Sequence, residues 1–284
     1  MKNPDPHYLC PLCNQPLQLD VSEKNHVCPN HHRFDCAKEG YLNLFPVQFK
    51  HSKEPGDSKQ MITARRLFLE AGFYEPLAKA LVMIINITHA PHNNTYRLLD
   101  LGCGEGYYSR YLERYCERSQ QMSLHGNDIA KIAIAAAAKK QPSAHFVVAS
   151  SSRLPFGDAY FDMVLRVFAP SDAQEINRLL KSSGHLLTVT PGPRHLWQLK
   201  EFIYKDVKEH TEEIIIPEGF EPVTRQRISY KITPNAEQRR ALLQMTPFGW
   251  SAGVGVQATL SNLSELEIEV DFMLILSIKT STGD

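Results

Sequence analysis

The sequence predicts an α/β protein, with a doubly wound, mostly parallel sheet and a small cysteine-rich β module in front of it. Three observations support this prediction. Short apolar segments alternate with helical segments from residue 96 to residue 193. A glycine-rich loop directly follows the first of these apolar segments, as it does at the ligand-binding edge of such sheets. Four cysteines lie within the first 36 residues, well before the alternating region begins.

Composition limits what this chain can be. Its 284 residues suffice for one large domain and a small one, and the 43% of hydrophobic residues supply a sizeable core. The 31 basic and 31 acidic residues cancel, so nucleic-acid binding would need a local basic surface. No apolar run approaches the ~18 residues of a membrane helix, and the N-terminus lacks the apolar segment of a signal peptide. We expect a cytoplasmic protein with reduced cysteines and no membrane partner.

The cysteines are spaced like metal ligands. Four candidate ligands follow the pattern C-x2-C-x14-C-x3-H: Cys10, Cys13, Cys28 and His32. Zinc binds four thiolate or imidazole ligands in a tetrahedron, and two tight knuckles joined by a short hairpin can provide them. His26, His31 and Cys36 lie close enough in sequence to compete with His32. A redox pair is disfavoured because the C-x-x-C lacks a βαβ context, whereas free cysteines in a small hairpin stay an alternative.

The next region is predicted to be a linker followed by helices. Residues 49–60 are polar, basic and rich in turn formers. Residues 61–87 have helical periodicity that is interrupted at Gly72 and Pro76, which predicts two helices joined at "GFYEP". The chain is therefore divided into a zinc-binding module (1–40), a basic linker with helices (41–90) and the main α/β domain (91–284). We expect the cofactor pocket to form from about residue 61 onward without the module.

The glycine-rich loop is the main candidate for cofactor binding. Glycine lets a ligand approach the backbone closely, and the lack of a following Lys-Ser/Thr pair excludes a phosphate-binding P-loop. A second strand ends about twenty residues later in an acid, which can accept both hydroxyls of a ribose, although a helix cap is the alternative. The pattern makes five residues candidates for cofactor binding: Asp100, Gly102, Gly104, Gly106 and Asp128.

The later elements continue the alternation of strands and helices. Helices are predicted over 133–140, 173–184 and 236–247. Strands are predicted over 145–150, within 153–170, over 185–193 and, as a strand or a hairpin, over 266–279. Residues 205–235 give no clear pattern.

Several of these segments resemble one enzyme family. "LLDLGCGEGYYS" and "ASSSRLPFGDAYFDMV" resemble the class I S-adenosylmethionine (SAM) methyltransferases, which have a Rossmann-like fold. Together with "CPLC", "CPNHHRFDCAKEGYLNL" and "TPGPRHLWQLK", they resemble the bacterial 23S ribosomal RNA (guanine-N1)-methyltransferase family. The resemblance covers nearly the whole chain. It implies SAM and zinc as cofactors, N1 of a guanine in a 23S rRNA hairpin loop as the methyl acceptor, and a homodimer.

The same resemblance implies roles for particular residues. The family's zinc ligands match Cys10, Cys13, Cys28 and His32, which favours His32 over His31. Its SAM contacts match Tyr74, Glu105, Gly106 and His195. The chain departs from many class I enzymes at Ser150, where an aspartate usually holds the adenine amino group. We therefore expect backbone or hydroxyl groups to hold the adenine.

Two other functions stay open from the sequence: a small-molecule SAM-dependent methyltransferase, and a non-catalytic zinc-containing RNA-binding protein. The zinc module disfavours the first, because a small substrate does not require it. We expect the basic and aromatic "RVFAP" (166–170) to line the guanine pocket. Five cations between the module and the crevice form a predicted RNA track: Lys50, Lys53, Lys59, Arg65 and Arg66.

Overall fold

A computed structural model of the chain describes residues 7–49, 52, 55–88, 95–212 and 215–280. Its centre is an eight-stranded mixed sheet with the strand order β10-β11-β9-β8-β5-β6-β7-β4. The strands of this sheet are β4 (Leu42–Asn43), β5 (Tyr96–Leu101), β6 (Met122–Asp128), β7 (His145–Val148), β8 (Phe161–Val167), β9 (Leu180–Pro191), β10 (Phe220–Ile232) and β11 (Ile268–Lys279).

Helices connect most of these strands. They are α1 (Lys59–Glu70), α2 (Glu75–Thr88), α3 (Tyr107–Tyr115), α4 (Lys131–Lys140), α5 (Ala173–Leu179), α6 (Trp197–Glu201), α7 (Ala236–Gln244), α8 (Phe248–Ser251) and α9 (Val254–Asn262). The joint between α1 and α2 falls at "GFYEP", as the interrupted periodicity predicts. Within the described part of the chain, no helix combines the length and the apolar character needed to cross a membrane.

The strand order places a crevice in the middle of the sheet. From β5 the chain proceeds to β6 and β7 on one side, and then returns to β8 and β9 on the other side. All of these strands run parallel, so their carboxyl ends meet at one edge. Ligands of doubly wound sheets bind where the order reverses, which here is between β5 and β8. The glycine-rich loop begins directly after β5, at this position.

Apolar residues on the two faces of the sheet pack into two separate clusters. Along β5, Tyr96 and Leu98 belong to the first cluster, whereas Leu99 and Leu101 belong to the second. Side chains of a strand alternate between its faces, which explains this division. Helices α1 to α4 and α7 contribute to the first cluster. The second cluster is closed by α5 and by the N-terminal module.

The module contains a small antiparallel sheet of its own, formed by β1 (Gln18–Asp20), β2 (Asn25–Val27) and β3 (Arg33–Asp35). The predicted hairpin is confirmed. The Leu9 N–H donates to the Pro155 carbonyl at 3.0 Å, and the rings of Tyr8 and Phe156 lie 5.6 Å apart. Two-residue strand β4 then joins the central sheet beside β7. The segment 41–90, predicted as a basic linker with helices, thus begins with a strand of the main sheet, and that strand precedes the polar stretch 49–60.

The boundary between α5 and β9 differs from the sequence-based prediction. The helix predicted over 173–184 ends at Leu179, and "KSSG" belongs to β9, which begins at Leu180. The segment 266–279, predicted as a strand or a hairpin, contains one strand, β11. Its antiparallel partner β10 comes from the stretch without a clear pattern. Residues 221–227 of β10 are exposed on both faces, so they show no apolar–polar alternation from which a strand could be predicted.

Candidate metal centre and cofactor site

Three thiols and one imidazole converge at the start of the chain. One ligand atom from each of Cys10, Cys13, Cys28 and His32 lies within 4.8 Å of all the others. His32 Nδ1 is 3.5 Å from Cys10 Sγ and 3.4 Å from Cys28 Sγ. The Sγ atoms of Cys13 and Cys28 are 3.6 Å apart. Ligands at ~2.0–2.3 Å from a tetrahedral zinc lie about 3.5–3.8 Å from one another, so this donor set fits zinc.

The residues that could compete for the metal lie outside this cluster. His26 Nδ1 is 3.5 Å from Cys36 Sγ, so these two side chains contact each other. His31 is exposed and has a left-handed backbone, with φ of 60°. Its N–H donates to the Cys28 carbonyl at 2.9 Å, which closes the second knuckle and turns the chain toward His32. The structure thus gathers the four residues that the family resemblance favours, and their role as ligands is a prediction.

The glycine-rich loop is shaped for close approach to its backbone. It joins β5 to α3, and Gly106 is the N-cap of α3 with φ of 78°. A Cβ at Gly106 would lie 3.1 Å from the Cβ of Ala137, and one at Gly102 would lie 2.6 Å from the Cβ of Ala169. At both positions an added side chain would press on neighbouring protein atoms, which favours glycine. No side chain of the described residues caps the start of α3, so its N–H groups can bind a ligand. This loop therefore fits the SAM cofactor that a methyltransferase needs.

Both candidate acids at the strand ends are held by hydrogen bonds. Asp100 is buried and accepts a hydrogen bond from the Ser109 hydroxyl at 2.6 Å, and burial raises its pKa to about 6. Asp128 accepts from the N–H groups of Gly104 (3.0 Å) and Ala130 (2.8 Å). Burial raises the pKa of Asp128, and these two N–H groups partly offset that rise. Asp128 thus supports the glycine loop, and a carboxylate has further lone pairs for a ribose.

The Glu105 side chain points away from the open side of the loop. It is 2% exposed and pairs with three cations from three helices. Glu105 accepts from Arg66 of α1 (3.0 Å), Arg110 of α3 (2.9 Å) and Lys140 of α4 (3.0 Å). Burial opposes its ionisation, but Arg110 and Lys140 outweigh burial and lower its pKa. A SAM contact at this position would therefore use the Glu105 backbone, while its carboxylate ties the loop to the surrounding helices.

Tyr74 and His195 are 121 residues apart in sequence and meet beside the crevice. The Asp271 N–H donates to His195 Nδ1 at 3.2 Å, so the neutral ring carries its proton on Nε2. This Nε2 lies 3.4 Å from the Tyr74 hydroxyl. Burial, reinforced by Lys200 and His210, lowers the pKa of His195 to about 3, and burial raises the pKa of Tyr74. Both groups are therefore neutral at physiological pH.

Sequence reasoning missed Asp271, which holds the turn that carries His195. Asp271 is fully buried in β11, and its carboxylate accepts two hydrogen bonds from the Arg227 guanidinium at 2.9 Å each. It also accepts from the Arg194 N–H at 3.0 Å. A Cβ at Gly192 would lie 2.4 Å from this carboxyl group, so the turn packs directly on it. The signal in the sequence was a single acid within the apolar run "VDFMLIL".

A cavity of about 370 Å³ lies at the carboxyl ends of β8 and β9. Its lining residues are Arg166, Phe168, Ala169, Pro170, Thr188, Val189, Thr190 and Pro191. Ala169 also abuts Gly102, so the cavity and the glycine loop share a wall. The Phe168 ring lies 5.6 Å from the His195 ring, and Phe168 has a left-handed φ of 54°. Four of the five residues of "RVFAP", the segment that the sequence suggested for a guanine pocket, line this cavity.

Two of the five cations in the predicted RNA track are engaged in contacts within the protein. Arg65 pairs with Asp57 and also donates to the Met245 carbonyl at 3.2 Å. Arg66 is engaged by Glu105, as described above. These two arginines therefore support the fold around the cofactor loop. Lys59 lines a groove between α1 and α7, whereas Lys50 and Lys53 lie outside the described residues.

The parallel sheet, its glycine loop and the adjoining cavity define a class I SAM-dependent methyltransferase. The sequence agrees with this class, since residues 99–188 match the family model described as "Methyltransferase domain". Residues 8–53 match a second family model, described as "RlmA, N-terminal", whose name denotes a zinc ribbon. SAM and zinc are thus the cofactors that the two parts of the chain indicate.

Comparison of the whole chain with known proteins identifies its family within the class I methyltransferases. It is 31% identical over 283 residues to YxjB of Bacillus subtilis (strain 168), whose name places it among the 23S rRNA (guanine-N(1)-)-methyltransferases. The match covers 96% of this chain and 97% of YxjB. The 23S rRNA (guanine(748)-N(1))-methyltransferase of Streptomyces fradiae is 32% identical, with 88% of each chain covered. The chain belongs to the 23S rRNA (guanine-N(1)-)-methyltransferase family.

The YcgJ protein from Bacillus subtilis superimposes with a TM-score of 0.47 at 18% sequence identity. The superposition covers 70% of this chain and 98% of YcgJ.

Proposed function

We propose that this protein transfers a methyl group from SAM to N1 of a guanine in a hairpin loop of 23S rRNA. The observation that carries the proposal is the similarity to 23S rRNA (guanine-N1)-methyltransferases over 96% of the chain. That similarity spans the cysteine cluster as well as the cofactor loop. A small-molecule methyltransferase would need only the second of these, and a non-catalytic RNA-binding protein would need only the first.

The residues around the crevice can be given roles on this basis. SAM supplies a methyl group that its sulfonium makes electrophilic. The glycine loop at Gly102, Gly104 and Gly106 would hold the cofactor through backbone N–H groups, and Asp128 would accept its ribose hydroxyls. Tyr74 and His195, both neutral and buried, would close the far side of the cofactor pocket. Cys10, Cys13, Cys28 and His32 would hold a structural zinc.

The cavity beside the glycine loop suits a nucleobase that is not paired within an RNA helix. N1 lies on the Watson–Crick edge of guanine, so it is hidden when the base is paired. The acceptor must therefore be unpaired or flipped out of the RNA. Phe168 is 42% exposed at the cavity, which leaves its ring free to stack on a base. Positioning N1 in line with the S–CH3 bond would supply much of the rate acceleration.

The cysteine module is assigned to substrate selection. Its described residues pack on the face of the sheet opposite α1 to α4, and none of them lines the cavity beside the glycine loop. We expect it to bind the phosphate backbone around the target loop, which makes affinity for RNA depend on salt. The family resemblance also implies a homodimer, and sedimentation of the purified protein tests that prediction.

One assay tests the proposal. Unmodified 23S rRNA made by transcription is incubated with labelled SAM and the purified protein, and the modified base is then mapped. We expect label at N1 of one guanine in a hairpin loop. Label on another base or another atom would contradict the assignment. No transfer to this RNA, together with intact SAM binding in calorimetry, would favour one of the two alternative functions.

A further inference from the structure

Arg166, at the end of β8, has a charge that no carboxylate pairs with in the part of the chain that the structure describes. Its Nε donates to the Thr188 hydroxyl at 2.9 Å, and its Nη1 donates to the Ser171 hydroxyl. Among the described residues, no carboxylate lies within ion-pair distance of this half-buried guanidinium. Burial accordingly lowers the pKa of Arg166, and no neighbouring acid opposes that shift. Burying an unpaired cation is costly, so an arginine in this setting needs a functional reason.

The two hydroxyls fix the guanidinium and leave it able to bind a ligand. A guanidinium has five N–H donors, and the contacts with Thr188 and Ser171 use two of them. Three donors are left in a planar fork that suits an acceptor with two adjacent atoms. Arg166 lines the cavity of about 370 Å³, so these donors border a space large enough for a ligand group.

The position of Arg166 brings it close to the methyl-transfer site. Arg166 pairs with Leu101 across β8 and β5, one residue before the cofactor loop begins at Gly102. Ala169 forms part of the same cavity and contacts Gly102, and Phe168 contacts His195. The unpaired cation, an aromatic ring and the cofactor loop therefore surround one cavity.

We propose that Arg166 is the residue that recognises O6 and N7 of the acceptor guanine and stabilises the negative charge that develops on O6 when N1 loses its proton. The proposal rests on the proposed guanine-N1 methylation and deepens it. In the major groove of DNA, a guanidinium binds O6 and N7 of guanine as a matched pair. That contact leaves N1 free to face the cofactor, with Phe168 stacked on the base.

The chemical balance explains why a cation is needed at O6. The N1–H bond breaks and its proton passes to a base in the solvent, hydroxide or a buffer anion. The electron pair on N1, shared with O6, then forms the bond to the methyl carbon. The C–S bond breaks with its electrons staying on sulfur, which becomes a neutral thioether. After the proton has left and before the methyl group is transferred, the guanine is an anion. A fixed guanidinium beside O6 stabilises this anion, as oxyanion-stabilising groups do in other enzymes.

A pH–rate profile tests this inference. Methylation of transcribed 23S rRNA is followed in single turnovers from pH 6 to pH 9.5 for the wild-type protein, Arg166→Gln, Phe168→Ala and Arg114→Gln. Arg114→Gln removes one exposed positive charge outside the cavity and is the matched control. Calorimetric titration with SAM confirms that each variant keeps its fold.

We expect Arg166→Gln to slow methylation at least tenfold at neutral pH and to shift the rise of rate with pH upward by one pH unit or more. Phe168→Ala should weaken RNA binding without shifting the profile, and Arg114→Gln should match the wild type. An Arg166→Gln protein with the wild-type profile would overturn the inference. If only its RNA affinity and the salt dependence of that affinity change, Arg166 binds a phosphate and the inference also fails.

Two further results keep the test decisive. Should Arg166→Gln lose SAM binding, the double variant Thr188→Val with Ser171→Ala releases the guanidinium and keeps the charge. It should shift the profile in the same direction by less, and an unshifted profile would overturn the inference. A wild-type protein that methylates no base of the RNA would overturn the proposed function and this inference together, whereas a failure confined to the variants leaves the proposed function standing.

Discussion

The three-stranded module and the eight-stranded sheet differ in how much apolar surface each can bury by itself. Strands β1 and β3 have no fully buried residue, whereas five of the six residues of β5 and four of the seven residues of β8 are buried. Burial of apolar surface is the main stabilising term in folding, so the sheet has a core and the module needs other means. It has two: a four-residue donor set that fits zinc, and its packing against the second face of the sheet.

That packing changes what the module is expected to do. Doubly wound sheets need both faces covered, and here Tyr8, Leu17 and Cys28 help α5 to cover the second one. The sequence alone suggested that the cofactor domain could fold from about residue 61. The structure indicates that removal of the module would expose Phe156 and the strand residues under it. Point variants therefore separate the contributions of the module and of the sheet better than truncation of the module does.

The largest effect should come from the metal centre. Cys28→Ser should abolish zinc binding and most RNA methylation, since apparent zinc affinities of such sites amount to about 10–16 kcal/mol of folding free energy. Metal analysis should give about one zinc per wild-type chain and none for the variant. Cys36→Ser is the matched control, because Cys36 contacts His26 outside the cluster. Full zinc content in Cys28→Ser would remove that residue from the site.

The second-largest effect should come from the glycine loop at the edge of the sheet, where a substitution should damage the cofactor site and leave the module intact. Gly106→Val should abolish SAM binding, because Gly106 has φ of 78° and an added Cβ would press against Ala137. Zinc content should stay at about one per chain. Gly157→Val is the control, since a Cβ there meets no atom within 4 Å. Calorimetry that detects native SAM affinity in Gly106→Val would show that the loop does not bind the cofactor.

A smaller effect is expected at the contact between the two regions. Tyr8 is 3% exposed and packs against Phe156, so Tyr8→Ala should lower the free energy of unfolding by about 3 kcal/mol. Zinc and SAM should still bind, because neither site includes this side chain. Denaturant unfolding measures the change. If the variant is as stable as the wild type, the module does not stabilise the sheet through this contact.

The smallest expected effect is a change in stability at Asp100, within the sheet, and this change depends on pH. Asp100 has a pKa of about 6 in the folded protein, against about 3.9 in an unfolded chain. Because the folded pKa is the higher one, the neutral form favours folding, and that advantage is lost as pH rises from about 4 through 6. Asp100→Asn should therefore gain stability relative to the wild type, by about 1 kcal/mol at pH 5 and roughly twice as much at pH 7. Unfolding at the two pH values tests this; an equal difference at both would contradict it.

The sequence was informative where local pattern determines structure. The glycines between Leu101 and Tyr107 predicted both the turn and the cofactor site, because close backbone approach leaves few other residue types possible. The spacing of the cysteines predicted a cluster for the same local reason. The first half of strand β10 could not be predicted, since residues 221–227 are exposed on both faces and have no periodic pattern.

The contacts inside the site were less predictable, because they join residues that are distant from one another in sequence. Glu105 meets Arg66 and Lys140, which lie 39 and 35 residues away, so its side chain could not be assigned to ion pairs beforehand. The tautomer of His195 depends on the backbone of Asp271, 76 residues further along. Such contacts follow from how the strands assemble, and no local motif encodes them.

Strand β4 has a consequence for the way the chain emerges from the ribosome. The four cluster residues all precede residue 33, so the metal site can close early in translation. Leu42 of β4, however, pairs with Val147, and that partner is synthesised about a hundred residues later. We therefore expect the nascent module to fold before β7, the partner of β4, has been synthesised. Chains stalled before residue 140 should shield their first three cysteines from alkylation in zinc-containing medium; open cysteines at that stage would place metal binding after docking.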